Sequence, residues 1–369
     1  MTSHKPTTTC LVNNYNYGRY VVEAVQSALA QNQPFDEIVV VDDGSTDDSI
    51  DRLTDAKLPS QVRVVTQQNG GQLSAFETGW RNSTGDIVYF LDADDRYHPD
   101  LTRISSQCYT KPHVDCVISN HRRIDADGMT IDADARGRSA TAPLESVNSK
   151  TYEKASEHYR CLGHSLLRSV LMRHWIGGPT SCLSMRREIL DQIFPRSDHD
   201  QWITRADDVL VFAASIVGGS KTYLDGEWVE YRIHGCNNHA GVARNAYTKW
   251  RHLTKLNQLI NQLCEQQCFH IGRLAFEIPR EFATIERPSF RDALTYIKMG
   301  GRANLSSLTR IEQAAVILSS LIVAKVKAKS IPAPDMYHGH VHTATSEIAI
   351  HDASVHPPGD GASPRRTAA

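Results

Sequence analysis

Between Thr8 and Leu91 four short apolar runs alternate with stretches of helical spacing, and this alternation narrows the folds open to the chain more than any other feature. Thr8–Asn13, Glu37–Val41, Val62–Thr66 and Asp86–Leu91 read as strands. Tyr20–Gln31, with Val21, Val25 and Leu29 on one face, reads as a helix. So do the stretch from Asp47 to Ala56 and Gln72–Trp80. Strand and helix in strict turn predict βαβ units, a mostly parallel sheet and an α/β fold. The runs are continuously apolar, as in strands covered by helices on both faces.

Beyond Asp95 the pattern loosens. Further strands are expected at Val114–Ser119, Ser181–Met185, Thr222–Leu224 and Trp228–Ile233, and helices at Arg187–Gln192 and Asp207–Val217. Asp125–Asn148 is polar and reads as a loop. From Arg244 the spacing is helical near 244–268, 289–300 and 307–328. After Ser330 a mixture of Pro, Gly, His and Ala without periodicity is expected to be disordered.

The fourth strand ends in Leu91-Asp92-Ala93-Asp94-Asp95. In open α/β sheets ligands bind outside the carboxyl ends of the strands. Three carboxylates at one such end repel, and without compensation some would take up protons. A divalent cation removes the conflict, and hard Mg2+ or Mn2+ prefers carboxylate and phosphate oxygens. The plainer alternative is a solvated acidic turn leading into a helix near Pro99.

Four segments in order then resemble the family 2 glycosyltransferases, whose fold is known as GT-A. They are Asn13-Asn14-Tyr15-Asn16 with Gly18-Arg19-Tyr20; Glu37–Asp47, ending Val41-Asp42-Asp43-Gly44-Ser45-Thr46-Asp47; Asn69-Gly70-Gly71-Gln72 with Gly79; and Gly85-Asp86 running to Asp95. Further on, Trp175–Ser181 with Gly177 and Gly178, Ala206-Asp207-Asp208, and Tyr231-Arg232-Ile233-His234-Gly235 resemble the family's later motifs.

The resemblance implies a catalytic domain over 1–240, with a nucleotide-binding half at 1–105 and an acceptor-side half at 106–240. A helical region at 241–329 and the tail at 330–369 follow. It implies that Val12, Asn14, Tyr15, Asp42, Asp43, Gln72, Asp92, Ala93 and Gly178 bind the nucleotide-sugar donor. Asp92, Asp94 and His234 would hold Mg2+ or Mn2+, and Asp208 would be the base that takes the acceptor hydroxyl's proton. Arg232 is expected near phosphate, and Asp95 near the sugar or metal. Asp42 and Asp43 also read as turn and helix-start residues, and Asp207-Asp208 as an acidic pair favoured by a helix dipole.

The departures matter. Ala75-Phe76-Glu77 stands where the family often has an arginine, Asp207 replaces a usual Glu, and no QxxRW follows Asp208. The last absence favours transfer of one sugar over processive synthesis. The expected reaction is thus inverting transfer from a nucleotide sugar, UDP-linked by preference, to a glycan or lipid-linked hydroxyl. A degenerate binding or scaffold protein of the same fold is the alternative. A sugar nucleotidyltransferase is disfavoured because Asn13–Arg19 lacks a glycine-rich GxGxR loop.

Charge sets the partners. Forty Lys and Arg against 42 Asp and Glu argue against nucleic acid. The eight cysteines, without a CxxC pair, are expected to be reduced. Met1–Thr9 lacks an apolar core and no stretch reads as ~18 apolar residues, so a cytoplasmic location is expected. Leu308–Lys329 reads as an amphipathic helix that packs on the domain, pairs with a second subunit in a homo-oligomer, or lies on the inner face of a membrane. The His338, His340 and His342 run reads as incidental.

Overall fold

The computed structural model describes residues 5–131, 159–235, 246–269, 274–303 and 305–330. The central sheet has nine strands: β1 (Thr8–Asn14), β2 (Glu37–Asp42), β3 (Val62–Thr66), β4 (Ile87–Asp92), β5 (Arg96–Tyr97), β6 (Cys116–Ile124), β7 (Tyr159–Gly163), β8 (Leu183–Arg186) and β9 (Lys221–Arg232). Their order is β3-β2-β1-β4-β8-β6-β9-β5, with β7 also on β9. Strands β1, β2, β3, β4, β6 and β9 run one way, while β5, β7 and β8 run against them. The register sets Asn14 beside Asp42 and Asn13 beside Asp92, so three strand ends deliver polar side chains to one edge.

Alternation along each strand builds two apolar layers, as period-two side chains must. Leu11, Val39, Val41, Val88 and Phe90 face one layer, covered by α3 (Gln72–Arg81), α6 (Arg187–Ile193), α7 (Ala206–Ile216) and α8 (Ala246–Gln266). Cys10, Val12, Ile38, Val40 and Leu91 face the other, covered by α1 (Gly18–Leu29), α2 (Ser49–Asp55) and α4 (Leu101–Tyr109). Helix α7 is buried on nearly all sides. Burial of each large side chain there contributes about 1.5–3 kcal/mol, which fixes the helix and its acidic first turn firmly.

Two expectations about the elements need correction. The two strands expected at 222–224 and 228–233 are one, β9, which continues through Gly226 at φ 105°. Strand β7 and helix α5 (Leu166–Met172) occupy what had no predicted elements. Tyr159-Arg160-Cys161-Leu162-Gly163 is too short and polar to announce a strand, and forms one by pairing with β9. Of the expected loop at 125–148, the part after Ile131 lies outside the described residues, as do Cys236 and the histidines of the tail. The other seven cysteines are unpaired.

The chain closes with α9 (Ile278–Ala283), α10 (Phe290–Arg302) and α11 (Ser307–Ser330). Helix α10 starts at a capping box between Ser289 and Asp292. The sequence showed no spanning-length apolar stretch, yet Ser307–Val326 is long and apolar enough to cross a membrane by length and composition, with mean hydropathy 1.3. The interspersed Ser, Gln and Thr hide this in a residue-by-residue reading.

Buried Glu281 ties this helical group to α5. Its carboxylate accepts from the Leu167 N–H at 2.6 Å and from the Tyr296 hydroxyl at 2.9 Å. Glu281→Ala leaves both donors buried without a partner and is expected to cost about 3 kcal/mol. A urea midpoint lowered without a change of slope would show it. An unchanged midpoint would mean that the carboxylate contributes nothing net.

Candidate active site

At the carboxyl edge of β1, β2 and β4 lies a cleft of about 600 Å³. Its wall includes Asn13, Tyr15, Asp43, Gly71, Gln72, Asp92, Ala93, Asp94, Trp175, Thr180, Arg205 and Asp207. Tyr15 is 44% exposed there, an aromatic face held open at the rim.

Asp43 is buried, yet reaches the cleft. Its Oδ1 accepts from Gln67 Nε2 at 2.6 Å and the Gly70 N–H at 2.9 Å, and its Oδ2 accepts from the Gly71 N–H at 2.8 Å. Asp42 takes the turn role instead: it accepts from Asn14 Nδ2 at 2.7 Å and the Ser45 N–H at 2.9 Å. Asn14 and Asp42 thus shape the loop, and neither lines the cleft. Val12 is a core residue of β1 with no exposure. Gly178 is also off the wall, where a Cβ would come within 3.0 Å of Cys182 Cβ. The cleft takes its contacts from the neighbouring Pro179 and Thr180.

The carboxylates after β4 divide their work. Asp95 is fully buried and serves as a bracket: its Oδ2 accepts from Ser181 Oγ at 2.6 Å and its Oδ1 from the Arg232 N–H at 2.8 Å. Burial, with the charges of Asp94 and Asp92, raises its carboxyl well above the usual range. Asp92 and Asp94 line the cleft. Burial and then the charge of Asp94 push Asp92 up to about 7. His234 Nε2 lies 3.0 Å from Asp94 Oδ2, and its ring sits between Tyr17 and Tyr20 with centroids 5.6 and 5.2 Å away.

These residues fit a hard divalent cation: two cleft-facing oxygen donors suffer mutual repulsion, and an imidazole is fixed beside one of them. Arg232, expected near phosphate, is instead fully buried and braces this corner. It donates to Asp94 O at 2.6 Å and Glu23 Oε2 at 2.7 Å, with its guanidinium carbon 4.7 Å from the Tyr20 ring centre.

At the start of α7 the acidic pair splits. Asp208 turns inward and is bound by two of the Arg205 nitrogens, Nε and Nη2, the latter at 2.7 Å from Oδ1, and by His252 Nε2 at 3.2 Å. Burial alone would raise its carboxyl; the His252 and Arg205 hydrogen bonds overcome that and hold it below the usual range. Asp207 faces the cleft. Burial, and then the charge of Asp208, push it up to about 6. Sequence reasoning fixed on Asp208 and missed both of its partners. Arg205, three residues before Asp208 at a helix start, was a visible signal; His252 on α8 was not.

Gln72 joins the two carboxylate groups. Its Nε2 donates to Asp92 Oδ1 at 2.8 Å, and its Oε1 accepts from the Ala206 N–H at 2.9 Å. Gly71 makes the approach feasible: at φ 86° its absent Cβ would lie 2.4 Å from Ile203 Cα. Glu77, standing near the missing arginine, is buried and accepts from Arg81 Nη2 at 2.7 Å and the Arg196 N–H at 2.9 Å. It holds the 196–199 segment and stays out of the cleft. Two buried polar atoms of the wall, Asn13 Oδ1 and Trp175 Nε1, have no hydrogen-bond partner. Buried polar groups are nearly always paired, so a polar ligand is the natural complement.

The glycosyl transferase family 2 model matches residues 9–194, half of the chain. This protein belongs to that family. An uncharacterized glycosyltransferase of Nostoc sp. is 36% identical over 236 residues, covering 63% of this chain and 66% of the relative. A chondroitin synthase of Escherichia coli is 35% identical over 129 residues, covering 34% and 19%. The chain therefore spans just under two thirds of the Nostoc relative's length and about a fifth of the synthase. A crystal structure of S. aureus TarS 1-349 in complex with UDP-GlcNAc is 16% identical, with a TM-score of 0.47 over 88% of this chain and 91% of that one.

Proposed function

We propose that this family 2 protein is a non-processive, inverting glycosyltransferase. It moves one sugar from a nucleoside diphosphate sugar, UDP-linked by preference, to a hydroxyl of a glycan or lipid-linked sugar. The observation that carries the reading is the placing of Asp92 and Asp94 in one cleft with the raised carboxylate of Asp207.

Each side of the cleft has its task. Tyr15 stacks on the base, and Asp43 Oδ2, which also accepts from the Gly71 N–H, accepts a uracil N3–H. Asp92, Asp94 and His234 would hold Mg2+ or Mn2+. Such an ion, when bound, supplies charge neutralisation of the leaving diphosphate. Asp207 rather than Asp208 takes the acceptor proton. As it does so, the hydroxyl oxygen forms its bond to the anomeric carbon from the face opposite the diphosphate, and the electron pair of the breaking bond leaves on the diphosphate oxygen. A carboxylate raised to about 6 is still ionised at neutral pH and is a stronger base than a free one. Asp208, locked by Arg205 and His252, orients that turn of the helix.

A panel of nucleotide sugars with and without Mn2+, read by thermal stabilisation and product detection, tests the proposal. A donor at 100 times its Kd should add about 2.7 kcal/mol, and no response to any nucleotide or sugar nucleotide would overturn the reading. Tyr15→Ala is expected to weaken UDP binding about 10- to 100-fold, the value of one base stacked on an aromatic ring. Calorimetry with UDP measures this, and unchanged affinity would remove Tyr15 from the base site.

A further inference from the structure

Helix α11 presents two unlike faces. On one, Gln313, Ile317 and Leu321 recur every four residues and are buried with Ile278, Phe282 and Tyr296. Gln313 Nε2 donates to Ala275 O at 2.9 Å. These contacts hold the helix side-on along the globular unit. On the other face, Leu308, Ile311, Leu318, Ile322, Val323 and Val326 are between 39% and 68% exposed. Their spacing follows the helical repeat, so they form one stripe. On α10, Phe290 and Leu294 add two more exposed apolar side chains one turn apart.

Charge identifies what covers this stripe. Residues 287–330 carry eight Lys and Arg against two acidic residues, Asp292 and Glu312, in a chain whose total is −2. Asp292 is buried. The basic residues include Lys325, Lys327 and Lys329 at the end of the helix. Pairing two copies through this face would set like charge against like charge. An anionic lipid surface meets both needs: acyl chains receive the stripe, and headgroups receive the lysines. Crossing the bilayer is incompatible with the buried Gln313–Ile317–Leu321 face, which stays on the protein.

We propose that α11 is an interfacial membrane helix, lying in the plane of an anionic bilayer with its Leu308–Val326 stripe among the acyl chains. This is independent of the catalytic reading, since it requires neither donor nor metal.

The test is co-sedimentation of the full chain with phosphatidylcholine vesicles, alone or with about 30% phosphatidylglycerol. The wild type is expected to bind the mixed vesicles at least about tenfold more tightly than the neutral ones. The double variant Leu318→Ser with Ile322→Ser should lose about tenfold or more on mixed vesicles while keeping the wild-type melting temperature, since both side chains are exposed. Lys325→Glu should weaken binding to mixed vesicles only. The proposal is overturned if the wild type ignores both vesicle types, or if the double variant binds as well as wild type. It is also overturned if the chain ignores vesicles and is a dimer that the double variant dissociates.

Discussion

Asp207→Asn is expected to lower kcat/KM by about 10²–10⁴-fold, the usual contribution of a positioned general base, while leaving UDP affinity near wild type. The melting temperature should hold or rise at neutral pH. The folded protein raises this carboxyl to about 6, so ionising it between the unfolded value of about 4 and that point costs stability, and the amide removes the cost. In the wild type, kcat/KM should fall on the acid side with a midpoint at or below about 6, because only the ionised form accepts a proton. Asp208→Ala should behave differently. It strands Arg205 and His252 around a buried gap, and a loss of about 3 kcal/mol in stability is expected. If Asp208→Asn lost turnover at full stability and Asp207→Asn kept it, the roles would be the reverse of those proposed.

The second large effect is expected at Asp94. Asp94→Asn should abolish Mn2+-dependent stabilisation by UDP and cut turnover by about 10²-fold or more, since charge neutralisation of a leaving group accounts for several kcal/mol of its barrier. Calorimetric titration with Mn2+ alone provides a readout that does not depend on turnover. Asp95→Asn serves as a contrast: it disturbs the bracket to Ser181 and the Arg232 N–H, so its effect should be on melting first. Retained metal-dependent stabilisation in Asp94→Asn would remove that carboxylate from the cation site.

The first hundred residues were legible because strand and helix alternate there at unmistakable periods, and β1 to β4 fall within a residue or two of the expected bounds. That Asp43, Asp92 and Asp94 would gather at the carboxyl edge of those strands, where the cleft lies, could be read from the sequence for the same reason. What could not be read was which way neighbouring carboxylates turn. Asp42 and Asp43 differ by one strand position, so one is consumed by Asn14 and the other reaches the cleft. Asp207 and Asp208 differ by about 100° around a helix, and the partner that draws Asp208 inward, His252, comes from a helix over forty residues away. Strand β7 was hidden because its stability comes from pairing with β9 rather than from its own composition.

The amide of Gln72 has a consequence for how this enzyme could change its substrates. One planar group grips Asp92 with its nitrogen and the first peptide of α7 with its oxygen. Any remodelling that shifts Asp92 therefore tugs on the helix that carries Asp207. Under the roles proposed above, donor choice and acceptor activation would be geared together, and laboratory evolution toward a new sugar should repeatedly select compensating changes at position 72 or in the 203–206 turn.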